Sequence, residues 1–363
     1  MKVSLFDTKV QNKEKILKSI SNLLDNGQYV LGNSLTSFEN NLASYLNCKY
    51  VVGVNSGTDA IELSLKALGI KKGDSVITSG FTYFATIEAI HNVGAIPYIV
   101  DIDLNTLQID LNSINKNILN KSKFIIPVHL FGGYVNVTEL LKISKIHNLK
   151  IVEDVAQSFG TKYKNKHLGT IGDAGAFSFY PTKTLGSIGD AGAISTNNKK
   201  VYEDLLMLRN HGHIDRDNFK FAGRNSRLDE IQAIYLDQRL KNIEKEIKKR
   251  VEIANIYMNS LEKIENVTFY NNQLETFNYF PITVKNLKER DSLVEFLNLN
   301  NIDTAVYYRK PLSDLNFDWI RKGSSFENIN FIKNRILCLP LYPNLPTEKL
   351  QYTINTIKSF YKI

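Results

Sequence analysis

The sequence lacks the features that mark membrane proteins and disulfide-stabilised secreted domains. Its 363 residues contain no apolar run of about 18 or more, so we predict no membrane span. Residues 1–15 are polar and have no apolar signal core. The only two cysteines, Cys48 and Cys338, lie far apart and form neither a disulfide framework nor a metal-ligand spacing. We therefore expect a cytoplasmic protein without a bound metal.

No segment carries a dense charge of one sign. Lysine and arginine outnumber aspartate and glutamate by 45 to 37, which gives a net charge of +8. The basic residues are dispersed, and their densest run, residues 248–250, lies in a helical pattern with Glu244 and Glu246. Alternating signs of this kind are typical of a solvated helix face, which argues against a nucleic-acid partner. The alternative is that the excess positive charge attracts anionic substrates.

What is present is a globular composition with a regular order of elements. Hydrophobic residues make up 43% of the chain, which is sufficient for a sizeable core. In the first two thirds, short apolar runs alternate with amphipathic segments, the first of which has Thr36 as its candidate cap. This alternation predicts an α/β fold with a mainly parallel sheet. The predicted strands are 51–54, 75–78, 96–100, 124–128 and 150–153, and the predicted helices are 36–46, 59–68, 85–93 and 137–147.

The pattern changes near residue 230. One helical periodicity extends from Leu228 to Leu261, and two short strands follow near 267–270 and 279–284. Helices over 291–297 and 347–361 complete the chain. This order predicts a smaller α+β domain. We place the domain boundary inside the long helix, so the large domain covers residues 1–240 and the small domain covers residues 241–363.

Three segments that follow predicted strands carry residues suited to chemistry. In parallel sheets, ligands bind at the carboxyl ends of the strands. The first segment, Asn55-Ser56-Gly57-Thr58-Asp59-Ala60, joins a strand to a helix. Gly57 would allow close approach of a ligand, and the helix N-terminus would present free amide groups to an anion. The alternative is a simple capped helix.

The second segment, Glu153-Asp154-Val155-Ala156-Gln157, places two acids at the end of a strand. Such an acid can be a metal ligand, a general base, the partner of a cationic ring nitrogen or part of an ordinary salt bridge. The lack of a nearby histidine or cysteine cluster disfavours a metal site.

The third segment, Ser178-Phe179-Tyr180-Pro181-Thr182-Lys183, ends in a lysine held between Pro181 and Gly186. A lysine removed from water loses its proton more readily and can attack a carbonyl group. In isolation, an exposed loop lysine is the common alternative.

In their order and spacing, these segments resemble the DegT/DnrJ/EryC1/StrS family of sugar aminotransferases. The resemblance extends from Leu31 to Leu312 and includes a fourth segment, Gly223-Arg224-Asn225-Ser226-Arg227-Leu228-Asp229-Glu230-Ile231-Gln232-Ala233. It implies the aspartate-aminotransferase-like type I fold, with a large parallel-sheet domain and a smaller α+β C-terminal domain. It also implies a homodimer with composite active sites.

The resemblance implies roles for individual residues around pyridoxal 5′-phosphate, which alternates with pyridoxamine phosphate. Lys183 would carry the cofactor as a Schiff base and move protons, and Asp154 would pair with the protonated ring nitrogen. Gln157 would contact the ring hydroxyl, and Phe81 would stack on the ring, unless it is an ordinary core residue. The phosphate would be held by Gly57, Thr58 and Ser178, and by Asn225 from the neighbouring subunit.

The substrate is expected from the segment after Lys183. Residues 184–192, with Leu-Gly followed by Gly-Asp-Ala-Gly, resemble enzymes that act on dTDP-linked 3-keto-6-deoxyhexoses. We expect transfer from L-glutamate to C3, giving a dTDP-3-amino-3,6-dideoxyhexose for a surface glycan such as lipopolysaccharide. A 4-keto sugar aminotransferase and a cofactor-binding regulator without turnover are the alternatives. The candidate substrate contacts are Tyr180, Tyr308, Arg309 and His211.

Two of these interpretations stay open from sequence alone. The family often has a His-Tyr-Pro run where this chain has Tyr307-Tyr308-Arg309, so Arg309 is either a pyrophosphate ligand or a surface residue. His129, which follows a predicted strand, either lines the pocket or is a hydrogen-bonded core histidine.

Overall fold

A computed structural model describes residues 1–10, 13–270 and 274–363. Its main feature is an eight-stranded sheet. Across this sheet the strands lie in the order β1 (Tyr50–Val54), β9 (Gly192–Thr196), β8 (Ala174–Ser178), β5 (Lys150–Asp154), β4 (Ser122–Ile126), β2 (Ser75–Ser79), β3 (Ile96–Val100) and β12 (Arg321–Lys322).

The sheet is mainly parallel, as predicted. Only β9 is antiparallel to its neighbours, β1 on one side and β8 on the other, and every other adjacent pair is parallel. Because β9 separates them, β1 and β8 run in the same direction as β5. The carboxyl ends of β1, β5 and β8 therefore lie at one edge of the sheet, where ligand sites of this architecture form.

Helices cover the large sheet, and both of its faces are buried. Successive strand residues belong to different core clusters, for example Ile125 against Phe124 and Ile151 against Val152. A sheet buried on both faces explains why its strands read as continuous apolar runs rather than alternating ones. The helices of this part of the chain are α1 (Lys13–Asn26), α2 (Asn33–Leu46), α3 (Gly57–Ala67), α4 (Ala85–Asn92), α5 (Lys116–Lys121), α6 (Val137–His147), α7 (Lys199–Leu208), α8 (Glu230–Leu240) and α9 (Ile243–Leu261).

A second, antiparallel sheet forms in the C-terminal part of the chain. It consists of β10 (Thr268–Phe269), β11 (Phe280–Thr283) and β13 (Ile336–Leu339), with β11 in the centre. It shares a core with α9 and with α10 (Leu287–Leu299), α11 (Glu327–Ile332) and α12 (Thr347–Phe360). The remaining strands, β6 (Lys162–Tyr163) and β7 (Lys166–His167), form a hairpin, and residues 111–113 and 312–314 form 3₁₀ turns.

Segments from the beginning and from the last fifth of the chain pair with distant parts of it. Val3 forms a parallel bridge with Ile302, and β12 adds to the outer edge of the large sheet beside β3. The division at residues 240 and 241 stays a prediction. Within the described residues, no helix is both long enough and apolar enough to cross a membrane.

The single long helix predicted over 228–261 is wrong, because the structure has α8 and α9 instead. The break is only two residues long, and Leu240 and Ile243 on either side are buried in the same cluster. Arg239 and Glu246 form an ion pair across it. Apolar spacing continues through so short an interruption, so periodicity alone does not reveal it.

Candidate active site

The three segments singled out from the sequence meet at the carboxyl edge of the large sheet. Gly57, at the start of α3, packs against Ser178, the last residue of β8. A Cβ atom at position 57 would lie only 2.7 Å from the Cβ of Ser178, so this close approach requires glycine. Lys183 and Asp154 are near enough that the charge of each affects the pKa of the other.

The N-terminus of α3 has free amide groups at this edge. Ser56 caps the helix, and its hydroxyl accepts a hydrogen bond of 3.1 Å from the Asp59 amide. The amides of Gly57 and Thr58 have no intrahelical acceptor, as in the first turn of any helix. Asp59 itself is buried, accepts 2.7 Å from the Ser226 hydroxyl and pairs with Arg224 at 3.2 Å. The free amides are therefore available to an anion such as a phosphate.

Asp154 is a buried carboxylate at the end of β5. Its Oδ1 accepts from the Ala156 amide at 3.1 Å, and its Oδ2 accepts from the Thr86 hydroxyl at 2.9 Å. Burial raises the pKa of Asp154, while these two donors and the nearby Lys183 and His129 act in the opposite direction. A buried acid with few counter-charges is suited to face a cationic ring nitrogen.

Sequence reasoning missed Thr86. It lies in the first turn of α4, 68 positions away from Asp154 in the chain, and it is buried. A threonine in an amphipathic helix has no pattern that distinguishes this role from ordinary packing. Only the packing of α4 against the sheet brings its hydroxyl to the acid.

Lys183 lies on a turn that is fixed by several hydrogen bonds. Its amide donates to the Tyr180 carbonyl at 2.8 Å. The next residue, Thr184, donates to the Asn278 side chain from its amide at 2.9 Å and from its hydroxyl at 3.1 Å. Arg239 donates to the carbonyls of Gly186 and Thr184 at 2.9 and 3.3 Å. These hydrogen bonds fix the backbone of the turn and thereby the position of Lys183.

The environment of Lys183 makes its amine available. Burial lowers its pKa to about 8, although the negative charge of Asp154 opposes this decrease. A substantial fraction is therefore neutral at physiological pH, as a nucleophile requires. The alternative of an exposed loop lysine does not fit this partly buried side chain.

A third group of residues lies beside the acid. The Gln157 carbonyl oxygen accepts from the Phe131 amide at 3.2 Å, and its amide nitrogen donates to the Tyr308 hydroxyl at 3.0 Å. The rings of Tyr308 and Phe81 meet edge to face, with centroids 5.5 Å apart. These contacts fix Gln157 and leave one of its amide hydrogens for a ligand.

His129 is a core histidine, which settles the choice left by the sequence. It is fully buried, its Nδ1 accepts from the Val135 amide at 3.3 Å, and its Nε2 lies 3.2 Å from Glu153. The Glu153 carboxylate also accepts from three backbone amides of a neighbouring loop, at Gly169, Ile171 and Gly172. Both residues are therefore satisfied within the protein.

We call the remaining, exposed candidate residues the rim. Tyr180, His211, Asn225 and Arg309 are all exposed. Asn225 pairs with Asn210 in an extended bridge, and the His211 amide donates to the Arg224 carbonyl at 2.9 Å. The Arg309 guanidinium lies 3.2 Å from Asp291 of α10, so the structure directs it to that acid rather than to the centre.

These residues fit pyridoxal phosphate. Gly57, Thr58 and Ser178 surround the helix N-terminus that would hold its phosphate, Asp154 would face the ring nitrogen, and Lys183 would bond its aldehyde. The buried Asp154 carboxylate and the close packing of Gly57 on Ser178 are the observations that support this fit. The described contacts concern one chain only, so a contribution from Asn225 of a second chain stays a prediction.

Comparison with known proteins supports the same chemistry. Residues 10–358 match the model of the DegT/DnrJ/EryC1/StrS aminotransferase family. The dTDP-3-amino-3,6-dideoxy-alpha-D-galactopyranose transaminase of Aneurinibacillus thermoaerophilus is 34% identical, over 96% of each chain. The UDP-2-acetamido-2-deoxy-3-oxo-D-glucuronate aminotransferase of Pseudomonas aeruginosa is also 34% identical, over 96% of this chain and 97% of that one. A protein of Geobacillus stearothermophilus named pleiotropic regulatory protein is 33% identical, over 97% of this chain and 96% of that one.

Solved structures confirm the predicted fold and cofactor. DesV of S. venezuelae, determined in complex with a ketimine intermediate, has a TM-score of 0.92 and 31% identity, over 100% of this chain and 99% of that one. NtdA of Bacillus subtilis, determined with bound cofactor PMP, has a TM-score of 0.91 and 29% identity, over 100% of this chain and 86% of that one. This chain is a pyridoxal-phosphate-dependent sugar aminotransferase and belongs to the DegT/DnrJ/EryC1/StrS aminotransferase family.

Proposed function

We propose that this enzyme transfers the amino group of L-glutamate to the C3 carbonyl of a dTDP-linked 3-keto-6-deoxyhexose. The product would be a dTDP-3-amino-3,6-dideoxyhexose, made in the cytoplasm for a surface glycan such as lipopolysaccharide. The amino transfer itself rests on one observation above all, the partly buried Lys183 amine with its pKa lowered to about 8 beside the buried Asp154.

Each residue of the site would have a distinct task. Bound pyridoxal phosphate supplies the aldehyde that carries the amino group and a ring that withdraws electrons. The Lys183 Nζ, no longer bonded to the cofactor once substrate is bound, would move a proton between the substrate carbon and C4′ of the cofactor. Asp154, held by Ala156 and Thr86, keeps the ring nitrogen protonated. Gln157 binds the ring hydroxyl, and the amides at the start of α3 bind the phosphate.

Two observations favour C3 over C4, and the name of one relative favours dTDP. The relative from Aneurinibacillus is named for a dTDP-3-amino sugar, and the relative from Pseudomonas is named for a 3-oxo sugar, although linked to UDP. The Leu-Gly and Gly-Asp-Ala-Gly groups within residues 184–192 also resemble the 3-keto enzymes. A 4-keto sugar aminotransferase is the second candidate, since Tyr180-Pro181-Thr182 is not restricted to the first group.

The test is a reaction with purified enzyme, L-glutamate and a matched pair of sugar nucleotides. One is a dTDP-3-keto-6-deoxyhexose, the other a dTDP-4-keto-6-deoxyhexose. We expect amination of the first only, with the new amine located on C3 by NMR of the product. Amination of the second alone would replace this proposal with the 4-keto activity, and the UDP-linked counterparts test the nucleotide in the same way.

A regulator without turnover is the candidate from a different class, because one relative is named a pleiotropic regulatory protein. The complete set of Lys183, Asp154 and Gln157 disfavours it, since a sensor needs no proton carrier. Visible absorbance separates the two. The band of the bound cofactor should bleach when glutamate is added and return when the keto sugar follows. A band unchanged by every donor and keto sugar would support the regulator.

We propose further that two copies form a dimer and share their active sites. Along the extended segment at Asn225, the flanking residues Arg224 and Ser226 contact Asp59 of their own chain. Side chains alternate in an extended segment, so Asn225 is directed away from that chain. Its amide is therefore available to a cofactor phosphate in a second copy.

Mixing two inactive variants tests this arrangement. If each site uses Lys183 of one copy and Asn225 of the other, a mixed dimer of Lys183→Ala and Asn225→Ala carries both substitutions in one site and leaves the second site intact. Refolding the two together should then restore up to about a quarter of the wild-type activity, because half of the dimers have one intact site of two. Recovery no greater than that of each variant alone would place both residues in the same copy's site.

A further inference from the structure

Thr86 is the one side-chain hydroxyl among the described residues that donates a hydrogen bond to Asp154. The Thr86 Oγ1 lies 2.9 Å from Asp154 Oδ2, and the Ala156 amide lies 3.1 Å from Oδ1. An ionised carboxylate can only accept, so the shared proton belongs to Thr86. Each carboxylate oxygen thus has one protein donor and a free lone pair.

The placement of Thr86 shows that this contact is specific. In a helix, a threonine hydroxyl commonly bonds a carbonyl of the preceding turn. The Thr86 hydroxyl instead crosses from α4 to the end of β5 and contacts a residue 68 positions away in the chain. Thr86 is 2% exposed, so water does not compete for this bond. The Thr82 hydroxyl lies 3.5 Å from the Thr86 hydroxyl.

The bond gains importance during the reaction. Burial raises the pKa of Asp154, and the hydrogen bonds from Ala156 and Thr86 oppose this effect more than the nearby Lys183 does. A Lys183 nitrogen bonded to the cofactor would no longer be a free ammonium group, and His129 is hydrogen-bonded to Glu153 at 3.2 Å. The two hydrogen bonds from Ala156 and Thr86 then carry most of the stabilisation of the anion from within the protein.

We infer that Thr86 is a positioning residue, which fixes the rotamer of Asp154 and keeps its carboxylate anionic and directed at the ring nitrogen of the cofactor. This inference rests on the proposed amino transfer, because only an anionic Asp154 maintains the electron-withdrawing ring. We assign Thr86 no direct contact with substrate or cofactor. Its effect is exerted entirely through the acid.

Three variants of the cofactor-loaded enzyme test it. Thr86→Val removes the hydroxyl and keeps the shape, and Thr86→Ser restores it. Thr78→Val is the matched control, since Thr78 is equally buried and its hydroxyl donates to the Ile126 carbonyl, also at 2.9 Å. The measurements are the dissociation constant for pyridoxal phosphate, the maximal rate of the half-reaction with glutamate, the glutamate concentration at half saturation and the melting temperature.

We expect Thr86→Val to slow the half-reaction by about 10-fold to 100-fold and to weaken cofactor binding, as loss of a hydrogen bond to a charged group predicts. Half saturation by glutamate should stay unchanged, and Thr86→Ser should recover the rate. Thr78→Val should lower the melting temperature by about as much as Thr86→Val does, without altering the half-reaction rate or the cofactor affinity.

Two results would overturn the inference. One is a Thr86→Val enzyme with the wild-type half-reaction rate and cofactor affinity. The other is a Thr78→Val enzyme whose half-reaction rate and cofactor affinity fall as much as those of Thr86→Val. In that case the effect of Thr86→Val would reflect disturbed packing rather than loss of the bond to Asp154. Failure of the wild-type enzyme to react with glutamate would instead contradict the proposed function, so the two failures are distinguishable.

Discussion

The centre and the rim of the active site differ in how completely one chain determines them. In the centre, Lys183, Asp154 and Gln157 are at least partly buried. Asp154 and Gln157 form hydrogen bonds with distant elements, and the turn that carries Lys183 is fixed by Asn278 and Arg239. At the rim, Tyr180 and Asn225 are exposed, and the side chain of Arg309 pairs with the surface acid Asp291.

This difference separates the chemistry from the choice of substrate. Buried polar groups are costly unless satisfied, so the fold has to specify the centre in detail. Exposed side chains carry no such cost and can change with little effect on stability. We therefore expect relatives that act on different sugars to share the centre and to differ at the rim.

The largest expected effect comes from removing the central amine. Lys183→Ala should abolish turnover, because no other group at the centre can both bond the cofactor and move the proton. The protein should stay folded, with a melting temperature near that of Lys166→Ala, a control at an exposed position. Appreciable transamination by the Lys183→Ala enzyme would contradict the assignment.

Removing the charge of the central acid should have the second largest effect. Asp154→Asn retains the shape but no longer stabilises a protonated ring nitrogen, so the rate should fall by about 100-fold to 1,000-fold, as loss of one electrostatic partner typically does. The measurement is the half-reaction with glutamate at saturating cofactor. An Asp154→Asn enzyme with wild-type rates would remove the acid from the mechanism.

The acidity of the central amine gives a prediction that is independent of turnover. Because burial lowers the pKa of Lys183 to about 8, the rate of pyridoxal phosphate addition to the cofactor-free enzyme should rise with pH and reach half its maximum near that value. Asp154 raises the Lys183 pKa, so Asp154→Asn should move the half-maximum to lower pH. A half-maximum near the ordinary lysine value of 10.5 would show that the amine is solvated.

The smallest effects are expected at the rim. Arg309→Ala breaks one exposed ion pair, so it should change the free energy of unfolding by less than about 1 kcal/mol. Asp291→Ala should cost more, because Asp291 also pairs with the buried Arg290 at 2.6 Å. Neither should change the KM for the sugar nucleotide if this pair is the main contact of Arg309. A higher KM in Arg309→Ala alone would instead identify Arg309 as a ligand of the substrate pyrophosphate and sharpen the boundary between centre and rim.

The parts of the fold that sequence predicts best are those set by local pattern. Strands buried on both faces read as short apolar runs, and chemistry-bearing residues follow them, so Gly57, Asp154 and Lys183 could be identified in advance. The resemblance to a family then supplied roles that no single segment implies. Relations between distant segments are harder to predict, and the antiparallel insertion of β9 beside β8 is one example.

Helix ends show the same limit. Thr36, the candidate cap of α2, lies inside that helix, whose cap residue is Gly32. The free amides of Gly32, Ser34 and Leu35 donate instead to the Glu230 carboxylate, at 2.7, 2.8 and 3.1 Å. A cap supplied from 198 positions away has no local signature, and the contact between Thr86 and Asp154 was missed for the same reason.

The pairing of Val3 has a consequence for synthesis of the chain. The Val3 amide donates to the Asn301 carbonyl, and the Asp303 amide donates to the Val3 carbonyl, both at 2.9 Å. At roughly 5–20 residues per second, translation supplies these partners about 15–60 s after Val3 emerges. β12, which completes the outer edge of the large sheet, is synthesised later still. A nascent chain that stalls before residue 300 would therefore expose an unpaired terminus and an open sheet edge to chaperones.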